Sequence, residues 1–194
     1  ALGCIEPEGD FGNQRLVADR LLALFPGMLL YWYHFTHHRQ RIEVDSHEPT
    51  IAGHFLHLLH GKAPSESHRK VMDASLVLYA EHEYNASTFA ARITTSTLSD
   101  FYSGITSAIG TLRGPLHGGA NEEAMVLIEK YENAEHAEKG IVESLARKDK
   151  IMGFGHASYR TSYPRNVIIK AWSAKLAEAA GDTRLYRVSC EAET

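Results

Sequence analysis

Apolar residues recur along this chain with a helical period and almost nowhere with the alternation of a strand, and that pattern confines it to an all-α architecture. Ala124, Leu127, Ile128 and Tyr131 fall at i, i+3, i+4 and i+7. Ile169, Trp172, Leu176 and Ala180 nearly repeat the pattern, and Val71, Ala74 and Leu78 do the same upstream. Such spacing places one apolar stripe on a helix. The breakers between these stretches are short: Pro49, Gly61 to Pro64, Gly114-Pro115, Gly118-Gly119 and Gly153-Phe154-Gly155. Together they predict helices over 13–38 with a break at Pro26, 50–60, 67–92, 97–111, 119–132, 135–147 and 164–180. Pro164 suits a first helical turn, where its missing N–H costs nothing, with Ser162 nearby as a cap.

At 194 residues, 44% apolar and 23% charged, the chain has the composition of a globular protein with a core, not of a disordered or collagen-like one. The longest apolar stretch, Leu21 to Tyr33, covers 13 residues and contains Pro26 and Gly27. A bilayer span needs roughly 20, so no membrane segment is expected. A net charge of −4 and a pI near 6.3 argue against a nucleic-acid surface, which needs clustered basic residues. Ala1 is followed by acidic Glu6, Glu8 and Asp10 and not by a signal-like basic then apolar order, and an excised piece of a longer protein is the expectation. Cys4 and Cys190 form no CxxC motif, which fits free thiols in a reducing cytoplasm.

Twelve histidines are the compositional excess. Three stand in unusual surroundings: His82 within Glu81 to Thr88, His117 within Gly114 to Asn121, and His156 within Gly153 to Ala157. Flanking glycines let backbone and ligand approach closely. The Gly-Gly-Ala-Asn after His117 leads into a helix, whose N-terminus favours negative charge nearby. A neutral imidazole there could donate a hydrogen bond to a developing enolate. A single histidine beside glycine is more often a turn or a packed, satisfied core residue, and the residues alone leave the choice open. A second reading takes His54, His57 and His60, with His34, His37, His38 and His68 nearby in sequence, as metal ligands. The run is mostly apolar and no HExxH or Cys/His pairing accompanies it, so no metal is assigned. A third is a helical dimerisation unit with apolar faces from Ser99 to Leu112.

The segments Gly114 to Asn121 and Gly153 to Arg165 resemble the two catalytic-histidine signatures of the citrate synthase family, the second ending in its Pro-Arg pair at Pro164-Arg165. The spacing agrees too: 35 residues separate His82 from His117 and 39 separate His117 from His156. Leu30 to His34 and Gly53 to Gly61 resemble the family's 2-methylcitrate branch. The resemblance covers the whole chain.

It implies a multihelical fold with residues 1–117 in a large helical domain and 118–194 opening a small one. It further implies a homodimer that condenses propionyl-CoA or acetyl-CoA with oxaloacetate, with the CoA thioester as substrate and no separate cofactor. His117 would polarise the thioester carbonyl, and His156 would bind and protonate the oxaloacetate carbonyl. His82 and Arg165 would hold oxaloacetate, Arg165 through its planar two-pronged fork. The backbone of Ile151, Met152, Gly153, Phe154 and Gly155 would lie beside CoA, with Arg160 at its phosphate. The chain departs from the family pattern in carrying Tyr163 where an aspartate is usual, and Ala157-Ser158 where a bulkier pair is usual. The family's catalytic aspartate would lie beyond a point matching Thr194, and neither Asp149 nor Asp182 stands in its motif. These 194 residues alone are therefore expected to show no synthase turnover.

Overall fold

The computed structural model describes residues 1–81, 83–153 and 164–193, and among them every regular element is a helix. The helices are α1 (Leu2–Ile5), α2 (Gln14–His38, preceded by a 3-10 turn at Phe11–Asn13), α3 (Ile51–His60), α4 (Glu66–Tyr79), α5 (Ala86–Ser96), α6 (Phe101–Leu112), α7 (Gly119–Glu129), α8 (Ala134–Ala146), α9 (Pro164–Ala180) and α10 (Arg184–Ala192). The chain divides into two compact units, Ala1–Ser107 and Ala108–Thr194.

In the first unit α3 packs on both α2 and α4. Val17, Leu21 and Leu30 of α2 are buried, as are Ala52 and Leu58 of α3. His34 donates from Nε2 to the Leu58 carbonyl at 3.0 Å, tying the two helices together. The expected break at Pro26 is absent. Pro26 lacks only one N–H, and its buried ring and the surrounding apolar contacts carry the helix through. Phe11–His38 is one helical stretch of 28 residues that could cross a membrane by length and composition, a criterion that a packed core helix also meets.

The single helix expected over 67–92 is two, because one left-handed residue and two local hydrogen bonds compete with it. Glu83 adopts φ +52, its N–H is taken by the Glu81 carboxylate, and Asn85 accepts the Thr88 N–H at 3.0 Å to cap α5. At α6 the Thr95 methyl would meet a Cβ on buried Gly104 at 2.7 Å, so only glycine lets α5 and α6 approach this closely. The N-terminus of α6 is held by two carboxylates. Glu8, buried, accepts the Phe101 N–H at 2.7 Å, and Asp100 accepts the Ser103 N–H at 3.1 Å. Negative charge at a helix N-terminus is stabilising.

The second unit is built on α10, which contacts α7, α8 and α9 and which the periodicity did not predict. Val188 and Ala137 are fully buried beside Tyr131, with Leu127, Ile128 and Ile141 packed around them. A Cβ on Gly140 would lie 2.5 Å from the Tyr131 ring, so the absence of a side chain there seats the ring on α8. Arg184 donates to the Tyr131 carbonyl at 2.9 Å, and Glu193 accepts from Asn166 and Lys170, which ties α9 to α10.

Candidate active site

The turn carrying His117 is a fold-back against the end of α6. Gly114, Pro115, Leu116 and His117 form a β-turn in which the His117 N–H donates to the Gly114 carbonyl at 2.9 Å, with proline at the position that suits its fixed φ. The same carbonyl accepts the Gly119 N–H at 3.2 Å, so one oxygen fixes the backbone on both sides of the histidine. A Cβ on Gly118 would lie 2.6 Å from the Leu112 carbonyl oxygen, and one on Gly119 would lie 3.0 Å from the carbonyls of Arg113 and Gly114. The glycine pair is thus required by backbone meeting backbone. His117 itself is half-buried.

Helix α7 starts directly after this turn, but its first N–H groups are already occupied. Gly119 donates to Gly114, Ala120 to the His117 carbonyl at 3.0 Å, and Asn121 to the Gly118 carbonyl at 3.3 Å. The helix end therefore acts on His117 through its dipole.

The turn Ile151–Gly153 reaches α7 from the other side of the sequence. Helix α8 ends with Lys148 at φ +61. The Lys148 N–H donates to the Leu145 carbonyl at 3.0 Å and the Asp149 N–H to the Ser144 carbonyl at 2.9 Å. This Schellman-type end redirects the chain toward α7. Gly153 adopts φ +95, a conformation that favours glycine, and a Cβ on it would come 3.1 Å from the Ala124 Cβ. Ile151 and Met152 are half-buried. A recess of about 400 Å³ beside Ile151 is bounded by Leu127, Lys130, Glu143, Ser144, Arg147 and Lys150 among others. Arg147 is held by Asp149 at 2.8 Å and by Ser144 at 3.3 Å, so Lys130 and Lys150 are the cations of its rim besides that paired one.

Arg165 stands half-buried at the second position of α9, whose bounds coincide with the predicted 164–180. His82, Phe154, Gly155, His156 and Arg160, and the cap proposed at Ser162, lie outside the described residues. The structure thus brings the His117 turn and the Ile151–Gly153 turn to one helix, α7. Sequence reasoning missed Lys130 and Lys150. Lys150 is legible as a basic residue flanking the glycine motif, whereas Lys130 lies 20 positions earlier and joins it only through folding.

Elsewhere, His54 Nδ1 is hydrogen-bonded to the Ser46 hydroxyl at 2.8 Å and His34 is committed to Leu58. Among the described residues no three His, Cys, Asp or Glu side chains converge as metal ligands. A recess of about 700 Å³ in the first unit is lined by Leu24, Met28, Tyr31, Trp32, Phe35 and His54 among others.

Residues 1–194 match throughout the family described as "Citrate synthase, C-terminal domain", and the chain belongs to the citrate synthase family. It is similar to 2-methylcitrate synthase of Shewanella oneidensis, with 60% identity over 193 residues, 98% of this chain and 52% of that protein. It is also similar to Citrate synthase 2 of Bacillus subtilis, with 42% identity over 197 residues, 99% of this chain and 52% of that protein. The solved citrate synthase of Thermoplasma acidophilum, a ternary complex with carboxymethyl coenzyme A and oxaloacetate, matches with a TM-score of 0.90 and 30% identity, covering 99% of this chain and 51% of that one. That of Thermotoga maritima matches with a TM-score of 0.80 and 35% identity over 95% of this chain and 50% of that one. The chain spans about half the length of the curated relatives it matches.

Proposed function

We propose that the full-length protein joins propionyl-CoA to oxaloacetate and releases 2-methylcitrate and CoA. The observation that carries this reading is the His117 turn, whose backbone is pinned by Gly114 and which leads directly into α7. The 60% identity to a protein named 2-methylcitrate synthase supports the choice of acyl group.

In this reading His117 donates a hydrogen bond to the thioester oxygen as the α-proton leaves and negative charge develops there. The proton goes to a carboxylate implied by the family pattern and assigned to none of the residues 1–194. The enol carbon then attacks the ketone carbon of oxaloacetate, and His156 donates a proton to the oxygen of the new tertiary alcohol. Arg165 and His82 hold the oxaloacetate carboxylates, for which a permanently charged guanidinium is suited. Water then cleaves the thioester, giving a carboxylate and the CoA thiol. The backbone of Ile151 to Gly155 and Arg160 lie along CoA, and the recess with Lys130 and Lys150 adds positive charge where its phosphates would pass. The enzyme acts as a cytoplasmic homodimer, with a large helical domain to about 117 and a small one from 118.

Acetyl-CoA as the natural substrate is the second reading, favoured by the similarity to proteins named citrate synthase. One methylene is worth about 1–3 kcal/mol, or 10- to 200-fold in discrimination. Steady-state kcat/KM of the full-length enzyme with both thioesters decides. A preference of about 10-fold or more for propionyl-CoA supports the proposal, and an equal or greater kcat/KM for acetyl-CoA overturns it.

A further inference from the structure

We infer that Ala124, midway along α7 and in contact with Gly153, is a positioning residue that sets where the Ile151–Gly153 turn holds the acyl-CoA relative to His117. The inference rests on the reading of that turn as the CoA-binding backbone.

Helix α7 is the common support of both halves of the thioester site. Its first residue, Gly119, follows the His117 turn, and Ala124 lies five residues further, about 7.5 Å along the axis. Leu127 is on the same face one turn beyond, and it lines the recess that Ile151 also borders. The turn therefore runs beside α7 from Leu127 to Ala124, toward the end that carries His117. At the far end of this path Lys130, Arg147 and Lys150 outnumber the carboxylates Glu143 and Asp149, which leaves a net positive charge. A molecule anionic at one end and a thioester at the other matches that polarity.

The closeness at Ala124 makes its size matter. A Cβ on Gly153 would come 3.1 Å from the Ala124 Cβ, inside the ~3.5–4.0 Å of ordinary carbon contacts, so turn and helix meet without spare room. Gly153 holds φ +95 at this approach, and glycine backbone is the freest to move, so it is the turn and not the helix that yields to a larger neighbour at 124. Extra carbons at 124 must lift the turn from the helix. His117 stays where it is, because its own restraints come from Gly114 and Leu112.

The test uses full-length enzyme carrying Ala124→Val or Ala124→Gly, with calorimetric binding of CoA and steady-state kinetics. Ala124→Val, which adds two carbons beside this contact, is expected to weaken CoA binding and raise KM for acyl-CoA about 10-fold. The KM for oxaloacetate should stay within twofold. Ala124→Gly lowers Tm through helix propensity but leaves KM for acyl-CoA near wild type. A KM that rises in proportion to the loss of Tm in both variants overturns the inference, as does unchanged CoA affinity in Ala124→Val. Failure of the wild-type enzyme to bind CoA at all overturns the CoA reading itself, and the inference with it.

Discussion

Gly118→Ala isolates the geometry of the catalytic turn from its chemistry, because no reacting group is touched. Gly118 has φ −61 and ψ −32, which alanine adopts freely, so any effect comes from contact alone. The new Cβ would lie 2.6 Å from the Leu112 carbonyl oxygen and 2.8 Å from the Leu112 Cγ. Against an ordinary C···O contact of ~3.3 Å the first distance falls short by about 0.7 Å. The half-exposed Leu112 side chain can swing away, but the carbonyl belongs to the last residue of α6 and cannot. The turn must therefore shift by about half an ångström, and His117 is the adjacent residue. A misplacement of about 1 Å costs about 100-fold in rate, so half of it is expected to cost about 10-fold in kcat, or ~1.4 kcal/mol. Thiol release from acyl-CoA and oxaloacetate, followed with the full-length enzyme, measures this directly. The KM for oxaloacetate should change little. A folded variant with kcat within twofold of wild type would refute the claim that the Leu112 contact fixes His117.

His117→Ala should lower kcat about 100- to 10,000-fold with oxaloacetate affinity nearly unchanged, whereas Arg165→Leu should chiefly raise the KM for oxaloacetate; steady-state kinetics separates the two. Gly140→Ala places a methyl 2.5 Å from the buried Tyr131 ring, and overpacking of about 1–3 kcal/mol exceeds or matches the ~1 kcal/mol that alanine gains in a helix, so the urea midpoint should fall or stay level and not rise. The hydrogen bonds from Ser103, foremost the one from its hydroxyl, hold the Asp100 carboxyl below its usual pKa. The folded state therefore favours the charged form: its contribution is present above the unfolded pKa and is lost as pH falls through the folded one. Asp100→Ala should cost about 1 kcal/mol at pH 7, and its gap to wild type in denaturant titrations should close in acid below about pH 4.

Much of the architecture is carried by local signals. The stripe Ala124, Leu127, Ile128, Tyr131 and the stop and start residues around it suffice to place α7, and Pro164 opens α9 where a proline at a first turn should. The citrate synthase signatures around His117 and Arg165 are likewise linear, because a glycine-flanked histidine is written in consecutive residues. Local rules failed where two of them conflicted or where partners are distant. Pro26 reads as a break, yet buried contacts with α3 outweigh one missing hydrogen bond. The stretch 67–92 reads as one helix, yet Asn85 and Glu81 offer its backbone better local partners. Helix α10 does carry a helical stripe, Leu185, Val188 and Ala192, but only nine residues long, and Val188 becomes a core residue only once Ala137 and Tyr131 surround it. The meeting of Gly153 with Ala124, and of Lys130 with Lys150, has the same character: sequence determines which residues can tolerate close contact or supply charge, and only packing, which sums many weak contacts between segments far apart in the chain, decides which of them meet.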